Sequence, residues 1–190
     1  MQLLALGVGL FSERSYDDVA IDEIAARAGV SRGLLYHYFP SKRDFYVETV
    51  RWAAEQMQAE VEPEDETLAP IDRLREGLDR YLGFVERHAQ AYATVLRSGI
   101  GSDAEVLAIV EATRAGITSR LLEGVGLATP RPHFRTAIRG WIGMVEGASL
   151  DWLDHRDVRR ADLVEVLAAA LAAAIGAAVT LDPGAGVPPR

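Results

Sequence analysis

Residues 22–39 read DEIAARAGVSRGLLYHYF. The run divides at Gly29 into two short helical pieces, because glycine takes the positive φ that lets a chain reverse sharply at a helix end. Val30 then tucks inward and Ser31 stands where the next helix needs an N-cap, so the pattern predicts a helix-turn-helix. At about 100° per residue, Leu35 and Phe39 share one face of the second helix, with Ser31 close to it. Gly33 and His37 lie opposite, flanked by Arg32, Leu34 and Tyr36. Leu35 is the anchor, and the opposite face is free to meet a partner.

Helical periodicity continues outward from this core. QLLALGVGLFSE (2–13) precedes it, RSYDDVAI (14–21) is a turn, and PSKRDFYVETVRWAAEQMQAE (40–60) opens a longer helix with Ser41 as its cap. Ile71, Leu74, Leu78, Tyr81, Leu82 and Val85 then form one stripe, followed by AYATVLRSG (91–99) and DAEVLAIVEATRAGITSRLLEGVG (103–126), both closed by glycine. Phe134, Ala137, Ile138, Trp141, Ile142, Val145 and Ala148 mark the next helix. Leu163, Val166, Leu167, Ala170, Leu171, Ala174, Ile175 and Ala178 mark the last. No run alternates with period two long enough to make a sheet, so the fold class is all-α: an N-terminal three-helix helix-turn-helix domain and a C-terminal helical domain. The acidic, proline-bearing EVEPEDETLAP (60–70) is a candidate break, and LDPGAGVPPR (181–190) cannot propagate a helix. The expected division is 1–45, 46–181, and a flexible tail at 182–190.

Composition narrows the function classes. The 190 residues contain no cysteine, which excludes a disulfide framework, a thiolate metal site and a cysteine nucleophile, and suits a reducing cytoplasm. The opening MQLLALGVGLF lacks the basic leader and cleavage site of a signal peptide and is too short to span a bilayer, so a soluble cytoplasmic protein without a membrane partner is expected. No nucleophile with a paired base, metal cluster or phosphate loop is legible, so neither enzyme activity nor a cofactor is expected. Asp151 and His155, four residues apart with Asp154 and Asp157 nearby, have metal-ligand spacing but read as the solvated end of a helix.

The free face of the second short helix suits a DNA groove. Arg32 and His37 can donate to base edges or phosphates, Tyr36 can bond a phosphate, Leu34 can touch a thymine methyl, and Gly33 permits close approach. Ser41 and Lys42 follow at the start of the next helix, where free N–H groups and the helix dipole attract phosphate. The net charge of −8 argues against general polyanion binding, and residues 1–60 carry −3. Between Ile24 and Arg43, however, there are four basic residues (Arg27, Arg32, Lys42, Arg43) and no acidic ones.

The stretch Leu10–Phe45, above all IAARAGVSRG, LYHYF and SK in that order, resembles the DNA-binding domain of the tetracycline-repressor (TetR) family of bacterial transcriptional regulators. The resemblance implies a homodimer that places each recognition helix in a major groove of double-stranded DNA bearing a pseudo-palindromic operator. It also implies a C-terminal domain that binds a small-molecule effector. By this match Ser31, Arg32, Gly33, Tyr36, His37 and Lys42 take DNA-contact roles. Three features depart from the family pattern. The chain starts almost inside its first helix, without the usual basic lead. Ala20 replaces a helix-opening threonine, leaving Asp22 or the backbone to cap, and Leu34 replaces a DNA-contacting threonine.

The last two long helices are the expected dimer faces, since alanines and Gly140, Gly143 and Gly147 let a partner helix approach closely. An effector cavity is expected among the middle helices, lined by Tyr81, Phe84, His88, Tyr92, Leu96, Ile117, Leu121, Trp141, Met144 and Val145. Glu146 and Arg97 fall near the apolar stripes and read as exposed surface groups or a mutual ion pair ahead of polar ligand contacts. Two function classes follow: a repressor released from DNA by a small apolar or amphipathic effector, or a helical dimer that binds ligand or protein without useful DNA affinity.

Overall fold

The computed structural model describes residues 2–62, 67–97, 103–127, 131–182 and 184. Among them are nine helices and no strand: α1 (Gln2–Glu13), α2 (Ile21–Ala28), α3 (Arg32–Tyr38), α4 (Lys42–Glu60), α5 (Pro70–Arg87), α6 (Ala89–Arg97), α7 (Ala104–Gly124), α8 (Pro132–His155) and α9 (Arg160–Leu181). The centre of the acidic break, the glycine expected to close α6, and nearly all of the expected tail lie outside the described residues.

Local chemistry sets the short helices. Gly29 takes φ 66°, its N–H donates to Ala26 at 3.2 Å, and the Val30 N–H donates to Ala25 at 3.1 Å. These paired bonds satisfy the last carbonyls of α2 and turn the chain. Ser31 Oγ accepts the Leu34 N–H at 3.1 Å and so caps α3. Phe39 is extended because it precedes Pro40, which disfavours helical backbone there, so α3 stops at Tyr38. Ser41 Oγ accepts the Asp44 N–H at 3.1 Å and donates to Asp44 Oδ2 at 2.8 Å, starting α4. Ala20 offers α2 no side-chain cap, and the first turn closes on the Ala20 carbonyl alone, leaving the Asp22 carboxylate uncommitted to capping.

The chain divides into two compact units, Met1–Glu60 with Gly83–Glu111, and Val61–Leu82 with Ala112–Arg190. The expected division at residue 45 falls inside α4, and α5 and α7 each contribute residues to both units. In the first unit, Leu10, Phe11, Val19, Ile24, Leu35, Phe45, Tyr46, Val106 and Ile109 are buried together. Its centre is aromatic. Phe11 and Tyr16 each meet Tyr46 edge-on at 4.9 Å, and Phe39 meets Phe45 at 5.1 Å. Such edge-to-face pairs add to the area term, and burial pushes the Tyr46 hydroxyl pKa up.

In the second unit the principal seam joins α8 to α9. Phe134, Ile138, Trp141, Ile142 and Val145 pack with Leu163, Leu167, Leu171 and Ile175, and Leu78, Leu82 and Leu122 join the same cluster. Trp141 Nε1 donates to the Leu167 carbonyl at 2.8 Å and Trp152 Nε1 to Val158 at 2.7 Å, so each indole is buried with its polar atom satisfied. Arg75 with Glu165, and Arg160 with Asp79, tie α5 to α9. By length and apolarity α9 would suit a bilayer, but Leu163, Leu167, Leu171 and Ile175 face this core. Its other side is also apolar: Val166, expected in the buried stripe, is 54% exposed in the single chain, with Ala169 and Ala173 beside it.

One glycine governs the seating of α1 on α4. A Cβ at Gly7 would lie 2.7 Å from Thr49 Oγ1 and 2.8 Å from Phe45 Cζ. Helix propensity favours Gly7→Ala by about 1 kcal/mol, but Phe45 is buried in the aromatic centre and overpacking costs about 1–3 kcal/mol. Sterics therefore win, and Gly7→Ala is expected to lower the chemical denaturation midpoint at unchanged m-value.

Candidate nucleic-acid interface

Helix α3 is seven residues long, too short to persist in water without packing. Leu35 supplies the attachment, buried with Ile24, Val19 and Phe45. With that side fixed, Ser31, Arg32, Gly33, Leu34 and His37 face outward and Tyr36 is partly covered, while no heavy atom outside its own turn lies within 4 Å of a Cβ at Gly33. Tyr38, absent from the expected set, is 67% exposed. Helical angles put it near the anchor side; it stands free because the helix ends there and Phe39 takes the inward place. Pro40, which imposes that ending, was the available signal.

The basic run is less basic in three dimensions than in sequence. Arg27 pairs with Glu23 at 3.1 Å and Glu13 at 3.7 Å, and Arg14 joins Glu23 at 2.6 Å. Arg32 Nε and Nη1 each lie 3.1 Å from an Asp22 carboxylate oxygen, with the guanidinium 5.4 Å from the Tyr36 ring centre. Arg43 is held by Asp103 and Glu105. Of the four bases counted in the run, Lys42 alone has no carboxylate partner among the described residues. Its Nζ sits 4.4 Å over the Tyr16 ring and donates to the Asp17 carbonyl at 3.3 Å. The expected cationic patch is therefore corrected to one available ammonium beside three neutralised guanidinium groups, because carboxylates outside the run fold back onto it.

Arg43 makes the most elaborate of these contacts. Its Nε donates to Asp103 Oδ2 at 2.6 Å and its Nη2 to Asp103 Oδ1 at 2.7 Å and to Glu105 Oε1 at 3.0 Å. Asp103 Oδ1 also accepts the Glu105 N–H at 3.0 Å, so one carboxylate both opens α7 and grips the second residue of α4. The Arg43 hydrogen bond holds the Asp103 carboxyl below its ordinary value, and hydrogen bonds to Asp103 and Glu105 raise the Arg43 guanidinium.

The ten expected cavity residues fall in two groups. Phe84, His88, Tyr92 and Leu96 belong to the first compact unit, and Tyr81, Ile117, Leu121, Trp141, Met144 and Val145 to the second. Met144 is 41% exposed, which corrects its placement in an interior lining: it lies on the outer side of α8 with Gly140, Gly143 and Gly147. Trp141 and Val145 are core residues of the second unit, with Tyr81, Ile117 and Leu121 packed against them. His88 Nδ1 is hydrogen-bonded to Ser12 Oγ at 3.2 Å, and its ring rests against Phe84 at 4.6 Å.

Two polar groups that sequence reasoning missed lie near this core. Arg114 pairs with Glu146 through Nε–Oε1 at 2.8 Å and Nη2–Oε2 at 2.6 Å, joining α7 to α8. Ser149, three residues farther along α8, is fully buried, with no partner for its hydroxyl among the described residues. Alanine-rich surroundings hid Arg114, and serine in a helix gives no periodic signal. At the exposed end of α8, His155 Nδ1 donates to the Asp151 carbonyl at 2.9 Å.

Two family models match the chain, with bounds that differ from those of the two compact units. Residues 3–49 match the family model of bacterial regulatory proteins, tetR family, and residues 70–174 match the tetracyclin repressor-like C-terminal domain. The crystal structure of a tetR-family transcriptional regulator from Streptomyces coelicolor is 32% identical, with a TM-score of 0.88 over 97% of this chain and 83% of that one. The HTH-type transcriptional activator FasR of Mycolicibacterium smegmatis is 28% identical over 123 residues, 64% of this chain and 56% of that protein. The HTH-type transcriptional regulator HbdR of Aromatoleum sp. is 31% identical over 125 residues, 64% and 53% respectively. The chain thus spans about half the length of these curated relatives.

Burial, with the Arg87 charge adding to it, lowers the His88 pKa from 6.5 against a smaller opposing effect of Glu60. The folded state disfavours the imidazolium, so this contribution is intact above about pH 6.5 and is lost as pH falls toward the lowered folded value. Thermal melts between pH 7 and 5 are expected to show this loss. His88→Gln is expected to flatten it, and the His88 imidazole should titrate below 6.5 by NMR.

Proposed function

This chain belongs to the TetR family of transcriptional regulators, and we propose that it is a ligand-responsive DNA-binding regulator. In this reading it acts in the cytoplasm as a homodimeric repressor, released from its operator by a small apolar or amphipathic effector. The observation that carries the reading is the exposed face of α3, pinned from behind by Leu35 and followed at once by Lys42 at the start of α4.

Each residue has a chemical assignment in the proposal. His37 and the free edge of Arg32 meet base edges, Leu34 meets a thymine methyl, and Gly33 lets the helix axis come close. Tyr36 and Tyr38 offer hydroxyls to phosphate, with Lys42 and Ser41 beside them. Ser31 fixes the first turn of the same helix through its cap.

Support for the dimer comes from the outer sides of α8 and α9, where Gly140, Gly143, Met144 and Gly147 are exposed, as are Val166, Ala169 and Ala173. Small residues permit helices to pack closely, and burial on a second side accounts for apolarity around most of α9. A rigid dimer would set the recognition helices about 34 Å apart, as successive major grooves require.

For release, α7 is the proposed transmitter. Its Ile117, Leu121 and Leu122 belong to the core of the second unit, and its Val106 and Ile109 to that of the first. Asp103, at its start, holds Arg43. An effector that binds better when α7 is displaced would draw on Arg43 and alter the seat of α4, to the extent of its differential affinity for the two states. Arg114, Glu146 and Ser149 are polar groups through which an amphipathic effector could be oriented.

Binding to DNA upstream of its own coding region, measured across a salt series, is expected to fall steeply with salt and to leave a pseudo-palindromic footprint. Lys42→Ala should weaken operator and random DNA alike and reduce the salt slope by about 0.9 per protomer. His37→Ala should instead cost about 1–3 kcal/mol on the operator alone. Absence of specific binding would leave the DNA-independent helical dimer as the reading. Val166→Asp is expected to give a folded monomer by sedimentation, with operator affinity lost.

A further inference from the structure

The Asp22–Arg32 pair is unusual among the ion pairs around α3. Its side chains are 60% and 62% exposed, and exposed pairs contribute little to folding. Its effect must be sought in what the guanidinium can do next. Arg27 and Arg43 are held in contacts that reach α1 and α7, whereas Arg32 is the first residue of α3 and lies on its exposed side. Because Ala20 leaves the opening of α2 to the backbone, Asp22 is free to engage Arg32 from α2.

We propose that Asp22 is a selectivity-determining positioning residue: through the hydrogen bond from Arg32 Nη1 and the charge contact of Nε with the same carboxylate, it withholds that guanidinium from phosphate and directs its remaining donors at a base edge. The inference rests on the DNA-binding reading of α3. A free arginine swings onto whichever phosphate is near, which adds affinity for any sequence. A clamped arginine keeps one direction, with Nη2 uncommitted in the pair and the Tyr36 ring 5.4 Å away limiting its swing. The Asp22 carboxylate also repels phosphates brought near it, which disfavours all DNA alike and leaves the discrimination to Arg32. By holding Arg32, Asp22 lowers affinity for random sequence more than for the operator.

The test uses full-length protein with two probes: an operator duplex selected by the wild type from random DNA, and a shuffled duplex of the same composition. Asp22→Asn is expected to bind the shuffled duplex about two- to five-fold more tightly, the range set by an exposed ion pair. Its salt slope on that duplex should steepen by about 0.9 per protomer as Arg32 reaches a phosphate. The operator-to-shuffled ratio should fall by a similar factor, and Asp22→Glu should recover most of it. In an Arg32→Ala background, Asp22→Asn should leave the ratio unchanged, since the effect acts through Arg32.

An unchanged ratio and slope in Asp22→Asn, with wild type still discriminating, would overturn the clamp and leave the DNA-binding reading intact. A change in ratio that persists without Arg32 would likewise overturn it. Failure of the wild type to select any duplex would remove both.

Discussion

Everything the outward face can do depends on the attachment of Leu35. A seven-residue helix does not form alone, so the direction of each side chain on α3 is inherited from the core into which Leu35 is set. That core is aromatic at its centre: Phe11 and Tyr16 each meet Tyr46 edge-on, and Phe39 and Phe45 continue the cluster. Gly7 brings α1 close enough to cover it. Some of the chain's most deeply buried residues thus hold the shortest of its described helices.

Charge acts by a different logic. A net charge of −8 would discourage indiscriminate contact with a polyanion, and folding extends that caution to the basic residues themselves. Glu13 and Glu23 occupy Arg27, Asp22 occupies Arg32, and Asp103 with Glu105 occupies Arg43. Each partner lies outside the cationic run in sequence. Proteins whose affinity comes mainly from phosphate contacts bind any sequence well. With Lys42 as the base in the run lacking a carboxylate, this chain would have to draw more of its binding from geometry than from charge.

Helix α7 contributes residues to both cores. Its first residues share a core with the helix-turn-helix and its later residues share one with α8 and α9. A helix transmits displacement because its backbone hydrogen bonds resist local deformation. The Asp103 carboxylate at one end and the Arg114–Glu146 pair farther along are strong, directional contacts.

Periodicity and turn chemistry in the sequence determined the helical class, the Gly29 turn, the Ser31 and Ser41 caps, and Leu35 as anchor, because each rests on neighbours within a few residues. The same locality identified the outward set Arg32, Gly33, Leu34 and His37, with Tyr36 half-covered beside it. Tertiary structure decided what depends on residues remote in sequence: Arg43 bound to Asp103, Glu146 to Arg114, the burial of Ser149, and the exposure of Met144 and Val166. It also exposed Tyr38, where the Phe39–Pro40 ending overrode the helical angle. Charge counted along a chain omits the carboxylates that folding brings to it. An anchor can therefore be read from sequence, while the freedom of an arginine beside it is settled only by what packs across the turn.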